Sequence, residues 1–224
     1  MKFYTGVGSR ETPEEYLKIM TELAIQLDRQ GWILRSGGSW GADEAFQKGT
    51  QNYSNIFLPN NYFRKNEDIK GVHINDTEKI REAMYIVSKF NLHENWNELI
   101  NSKGGLTSLQ MHTRNVFQVL GENLNNPSKF LVCYTRDGAT KLEEMTIDTG
   151  GTRTALRLAC HFNVPIFNLA VEEHKLRIIN WINEMKENEL KPKSANKSKL
   201  KYWFNNIMVY SVKIRYWDRY AFKK

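Results

Sequence analysis

The sequence predicts an α/β fold: a doubly wound, mostly parallel sheet with a polar insertion and a basic, aromatic C-terminal extension. Three observations carry this expectation. Through residues 1–190, short β-rich runs alternate with longer segments of helical periodicity, the order that builds βαβ layers. Glycine-bearing loops follow predicted strands or stand directly before predicted helices, as in sheets that bind ligands at their strand ends. Finally, 41% of the 224 residues are hydrophobic, enough for a packed core at a length that suits one α/β domain.

Each element has its own signal. Residues 2–7 (Lys2-Phe3-Tyr4-Thr5-Gly6-Val7) are β-rich and run into the turn Gly8-Ser9-Arg10. A helix should follow, with Thr12 as its cap, Pro13 at its first position and Glu14 and Glu15 at its positive end. Leu17, Met20, Leu23, Ala24 and Leu27 then recur at helical spacing until Gly31. A second strand covers 32–35, and the loop Ser36-Gly37-Gly38-Ser39-Trp40-Gly41-Ala42-Asp43 leads to another helix. The third strand, 55–58, is stopped by Pro59. Residues 60–105 are polar, carry a helical stretch over 77–90, and are expected to lie as an insertion over one sheet edge. Further helices fit 108–120, 149–162 and 172–187, and further strands fit 129–134 and 164–169.

The formal charge of +7 belongs to one end of the chain. Residues 191–224 hold ten basic side chains and one acid and carry +9, whereas the first 190 residues carry −2 with 22 bases against 24 acids. The tail opens with the solvated linker Lys191-Pro192-Lys193-Ser194-Ala195-Asn196 and interleaves cations with aromatics. Lys199, Lys201, Trp203, Arg215, Trp217 and Arg219 are therefore candidates for contact with single-stranded nucleic acid. The competing reading packs the aromatics on protein and leaves the lysines wet. No stretch approaches the ~20 apolar residues of a membrane span. The N-terminus lacks the apolar run and cleavage site of a signal peptide. Cys133 and Cys160 sit in apolar segments and read as buried free thiols of a reducing cytoplasm.

Three loops carry the functional signal: loop 1 (residues 6–10), loop 2 (36–43) and loop 3 (149–154). Glycine lets backbone amides approach a phosphate closely, and a helix N-terminus adds donors with positive dipole character. The spacing departs from G-x-x-x-x-G-K-[ST], which argues against a P-loop. It also departs from G-x-G-x-x-G, since Glu11 stands at the third glycine. Candidate phosphate- or nucleotide-binding residues are Gly8, Ser9 and Arg10 in loop 1, Ser36, Gly37, Gly38, Gly41 and Asp43 in loop 2, and Gly150, Gly151, Thr152, Arg153 and Thr154 in loop 3. Arg114, Thr135 and Asp137 join them. Several have bland alternatives: Asp43 as a helix N-terminal acid, Asp137 in the turn Arg136-Asp137-Gly138, Arg10 paired with Glu14, and Arg114 as a brace. The five histidines show no paired ligand spacing and neither cysteine has a Cys-x-x-Cys partner, so no metal and no cofactor are expected.

These segments resemble the SLOG superfamily, which joins the DNA-processing protein DprA to the LOG nucleotide hydrolases. The resemblance rests on residues 4–13, Leu34-Arg35-Ser36-Gly37-Gly38 with Gly41-Ala42-Asp43, residues 114–121, Thr149-Gly150-Gly151-Thr152 with Ala155-Leu156-Arg157-Leu158-Ala159, and residues 164–169. It is nearest to a small stand-alone branch often encoded by phages. It implies a Rossmann-like sheet, a nucleotide or nucleotide-derived signal as partner, and a homo-oligomer. LOG hydrolases, which cleave base from a nucleoside 5′-monophosphate, carry a glutamate after their glycine loop; Arg157 stands there, and Arg153 replaces a loop glycine. No catalytic residue is therefore assigned. Three functions follow from the resemblance: binding a nucleotide signal without turnover, LOG-like N-glycosidic hydrolysis, and DprA-like binding of single-stranded DNA.

Overall fold

In the computed structural model the chain forms two compact units, Met1–Asn180 and Trp181–Lys224. The structure describes residues 1–65, 67, 71–102 and 105–189. The expected boundary at residue 190 follows α7 (Glu172–Glu189), whereas the division falls inside that helix.

The first unit is Rossmann-like. Its elements run β1 (Lys2–Gly6), α1 (Glu14–Arg29), β2 (Trp32–Ser36), α2 (Ala42–Gly49), β3 (Ser54–Leu58), β4 (Val72–His73), α3 (Thr77–Lys89), α4 (Trp96–Asn101), α5 (Leu106–Leu120), β5 (Leu131–Cys133), α6 (Arg153–His161) and β6 (Ile166–Asn168). A 3₁₀ helix, Ile147–Thr152, immediately precedes α6. The strands form one six-stranded sheet in the order β4-β3-β2-β1-β5-β6, and every neighbouring pair is parallel. β1 is central: Tyr4 pairs with Leu34 on one side, and Thr5 with Leu131 on the other. The chain moves outward from β1 through β2, β3 and β4, then returns to β5 on the opposite side. That reversal makes the β1/β5 boundary the switch point of the sheet.

α1 packs on α2, while α5 packs on α3, α4 and α6. This gives a helical layer on each face, as right-handed crossovers running outward in both directions from β1 require. The pleat of β1 feeds both layers. Tyr4 stacks on Phe130 with ring centroids 5.7 Å apart and meets Phe46 of α2 edge-on at 6.3 Å. Thr5 points the other way, its hydroxyl donating to the Gln118 carbonyl of α5 at 2.7 Å. Met20, Leu23, Ala24 and Leu27 of α1 are fully buried, as their spacing predicts. Each large member contributes about 1.5–3 kcal/mol by leaving water. Cys133 is buried and Cys160 half-buried, both free thiols.

Two local expectations are corrected. Thr12 does not cap α1: its hydroxyl donates to the Ser9 carbonyl at 2.7 Å and so closes loop 1. Pro13, extended at φ −60° and ψ 149°, is itself the cap residue. Residues 60–105 are also more than a cover. They supply the edge strand β4, and Ile74, Ala83, Ile86, Val87, Leu92 and Trp96 enter the hydrophobic core. Among the described residues no helix is long and apolar enough to cross a membrane.

Candidate functional site

A cavity of about 670 Å³ opens outside the carboxyl ends of β1 and β5, within the size range of small-molecule sites. Loop 1 gives it Gly8, Ser9 and Arg10, and loop 3 gives it Thr149, Gly150, Gly151 and Thr152. Ser39 and Asp43 come from loop 2, Phe63 from the insertion, and Ser108, Met111, His112, Arg114, Asn115 and Gln118 from one face of α5.

Loop 1 is pinned by its backbone. Ser9 donates from its amide to the Tyr134 carbonyl (3.1 Å), and the Ser9 carbonyl accepts from the Ala42 amide (3.3 Å). Arg10 is exposed; Glu14 pairs with Lys18 instead (3.9 Å). Three arginines and three carboxylates line the cavity: Arg10, Arg114 and Arg136 against Glu11, Asp43 and Asp148. Arg136 pairs with Glu11 across the rim, and Arg114 with Asp43 below it. Among the described residues Arg10 alone of the three arginines has neither hydrogen bond nor ion pair.

Loop 2 is closed by side chains. Arg114 reaches from α5 to Asp43 and to the Ser39 hydroxyl, each at 3.3 Å, and both members of the ion pair are about 95% buried. Burial pushes the Asp43 carboxyl up, against the guanidinium that holds it down. A Cβ built on Gly37 would lie 0.9 Å from Arg114 Nη1. The Gly37 position is thus the seat of the arginine. The Ser36 hydroxyl donates to the Gly6 carbonyl (2.7 Å), and the Gly38 carbonyl accepts from Arg64 (2.8 Å). A Cβ on Gly41 would come within 2.6 Å of the Arg10 carbonyl oxygen. Ser36, Gly37, Gly38 and Gly41 therefore shape the site from outside its lining. Arg114 braces loop 2 and also lines the cavity.

Loop 3 is open. A Cβ on Gly150 or Gly151 would meet nothing within 4 Å. Gly150 takes φ 58° and ψ −146°, a region that only glycine enters without strain. Behind the loop stands Asp137, which does not line the cavity. It accepts from the hydroxyls of Thr135 (2.7 Å), Thr146 (3.0 Å) and Thr149, and from the amides of Thr146 (3.0 Å) and Ala139 (3.3 Å). Burial raises its pKa, but these hydrogen bonds outweigh burial and bring it down to about 2. Thr135 also accepts from Asn168 (2.6 Å), so both residues tie the loop to β6.

Arg153 turns away from the cavity. It pairs with Glu94 of the insertion (2.9 Å) and donates to the Thr146 carbonyl. Arg157 meets the same carboxylate (2.9 Å) and the Asn91 carbonyl (3.1 Å). Thr154, buried, shares a 2.7 Å hydrogen bond with His112 Nδ1. Where the resemblance led us to look for a glutamate, two arginines clasp an acid from another segment.

Sequence reasoning missed His112, Asn115 and Gln118. Burial first, then nearby His93 and Arg114, lower the His112 pKa to about 4, so it faces the cavity as a neutral imidazole at pH 7. Its ring meets His93 at 4.2 Å. Asn115 and Gln118 lie three residues apart and share a helix face. Two carboxamides three residues apart, among the apolar Val116, Phe117, Val119 and Leu120 of the helix's last turns, were the signal that could have found them. Among the described residues no group of three or more His, Cys, Asp or Glu is arranged to hold a metal. Lys199, Lys201, Trp203, Arg215, Trp217 and Arg219 lie outside the described residues.

No family model matches the chain, and no curated protein matches it. Among solved structures it is similar to DNA processing protein A of Helicobacter pylori, a structure concerned with that protein's single-stranded DNA binding mode. The identity is 16% and the TM-score 0.45, over 84% of this chain and 81% of that one.

Proposed function

We propose that this protein binds a nucleotide or nucleotide-derived small molecule and holds it without turnover. Arg10 and the amides of loop 3 grip its phosphate, and the rest of the ligand occupies the cavity beside Met111, His112 and Phe63. The observation that carries this reading is the pairing of an open glycine loop with an unpaired arginine across a cavity at the switch point. Glycine there admits an anion to the backbone, and the first turn of α6 adds dipole character. With Arg114 and Arg136 each facing a carboxylate, Arg10 is the arginine left to meet a phosphate, and Asp148 is the lining acid outside those pairs.

Binding without turnover fits the carboxylates. Asp43 is engaged by Arg114, Glu11 by Arg136, and Glu94 by Arg153 and Arg157. Asp148 is the lining carboxylate outside these pairs, and Arg157 stands where the LOG resemblance places the acid that would stabilise an oxocarbenium-like transition state.

Mass spectrometry of small molecules released by heat from the purified protein tests the reading. A phosphate-bearing nucleotide should appear, and Arg10→Ala should weaken its retention by about 1.5–3 kcal/mol, the loss of a charged hydrogen bond. No such compound, together with no binding to a panel of common nucleotides, would overturn it. Release of free base from any of them would make the site a hydrolase instead.

A further inference from the structure

Along the cavity wall formed by α5, a line of hydrogen bonds joins loop 2 to loop 3. The carboxamide of Gln118, oriented by its neighbours, accepts from the Gly37 amide and from Arg114 Nη1, both at 2.8 Å, and donates to Asn115 Oδ1 at 2.9 Å. Asn115 Nδ2 in turn donates to the Gly151 carbonyl at 3.2 Å. Gln118 is 1% exposed and Asn115 8%, so water does not replace these bonds cheaply. The Gln118 backbone is itself anchored at the sheet centre, its carbonyl accepting from Thr5.

We propose that Gln118 and Asn115 are positioning residues that make the two glycine loops one mechanical unit, so that loop 3 inherits its geometry from loop 2. Three features support this. Each donor in the line points the same way, from Gly37 through Gln118 and Asn115 to Gly151, an arrangement in which each bond polarises the next. A carboxamide suits both relay positions, because each must accept at one atom and donate at another. The line also ends on a peptide group that matters: the carbonyl of Gly151 and the amide of Thr152 belong to the same plane. Fixing one fixes the other, at the mouth of the cavity and the start of α6. The consequence for ligand binding rests on the nucleotide reading above; the coupling between the loops does not.

Amide hydrogen exchange followed by NMR on the full chain tests the coupling without a ligand. Asn115 does not touch Gly37, yet Asn115→Ala should speed exchange of the Gly37 amide by about tenfold while the amides of α1 keep their protection. Unchanged exchange at Gly37 overturns the proposal, as does a uniform rise that includes α1. Gln118→Glu keeps the acceptor for Gly37 and Arg114 but removes the donor to Asn115. It should leave Gly37 protected and speed exchange at Thr152, so it tests the proposal even if the alanine variant fails to fold; unchanged exchange at Thr152 contradicts it. For the ligand arm, AMP is titrated into the wild type and Asn115→Asp, which retains an acceptor for Gln118 but sets an oxygen against the Gly151 carbonyl. Affinity should fall about tenfold. Equal AMP binding in both removes the consequence for the ligand. Failure of the wild type to bind AMP or any other common nucleotide counts against the nucleotide reading and leaves the exchange result standing.

Discussion

Loop 2 contains Ser36-Gly37-Gly38-Ser39 and loop 3 contains Thr149-Gly150-Gly151-Thr152, the same hydroxyl–Gly–Gly–hydroxyl pattern at the end of a strand or the start of a helix. In loop 2 the space beside Gly37 is filled by the guanidinium of Arg114, and the hydroxyls of Ser36 and Ser39 are used on Gly6 and Arg114. In loop 3 the space beside both glycines is empty, and both line the cavity. Gly37 makes room for the protein, the glycines of loop 3 for something else. A glycine pattern marks where backbone must come close to a neighbour; it does not say whether that neighbour is a side chain or a ligand.

The sharpest way to break this contrast is to fill the closed loop. Gly37→Ala forces Arg114 out of its seat and leaves Asp43 buried without its cation, which costs about 3–5 kcal/mol. Chemical denaturation should show that loss; a change below about 1 kcal/mol would mean that the arginine is not held there.

A smaller effect comes from the support behind loop 3. The folded-state pKa of Asp137, about 2, lies below the ordinary aspartate value. The carboxylate therefore contributes stability that is fully present above about pH 4 and lost as pH falls toward 2. Because solvent screens this half-buried group, the expected contribution is about 1–2 kcal/mol. Melting curves for wild type and Asp137→Asn should converge as the pH falls from about 5 to about 2. A gap between them that persists at the acid end would contradict this account.

The smallest effect is expected at the surface clasp. Glu94 is 60% exposed where it meets Arg153 and Arg157, so Glu94→Gln should cost no more than about 1 kcal/mol and leave ligand retention unchanged. A marked loss of retention would bring this cluster into the binding site.

Most of the scaffold was legible in the sequence because its signals are local. α1 announces itself through Met20, Leu23 and Leu27, and β2 through Trp32-Ile33-Leu34. β4 left no trace, since two residues, Val72 and His73, carry no periodicity. The candidate site was legible as loops but not as roles. Arg153 reads as a phosphate clamp until Glu94 arrives from the insertion, and Asp137 reads as a binding candidate or a turn residue until three threonines converge on it. Gly37 looks the same as Gly151 until Arg114 of α5 is placed against it. Each of those facts is tertiary, and one chain read in order does not contain it.

The most direct measurement pairs nucleotide binding with thermal stability in Gly151→Ala. Because a Cβ there meets nothing, the variant should melt like the wild type, within about 0.5 kcal/mol. It should also retain at least about tenfold less of whichever nucleotide the wild type binds from a panel of adenine, guanine, cytosine and uracil nucleotides. Wild-type retention in a variant of wild-type stability would contradict the claim that loop 3 is the ligand's side of the site.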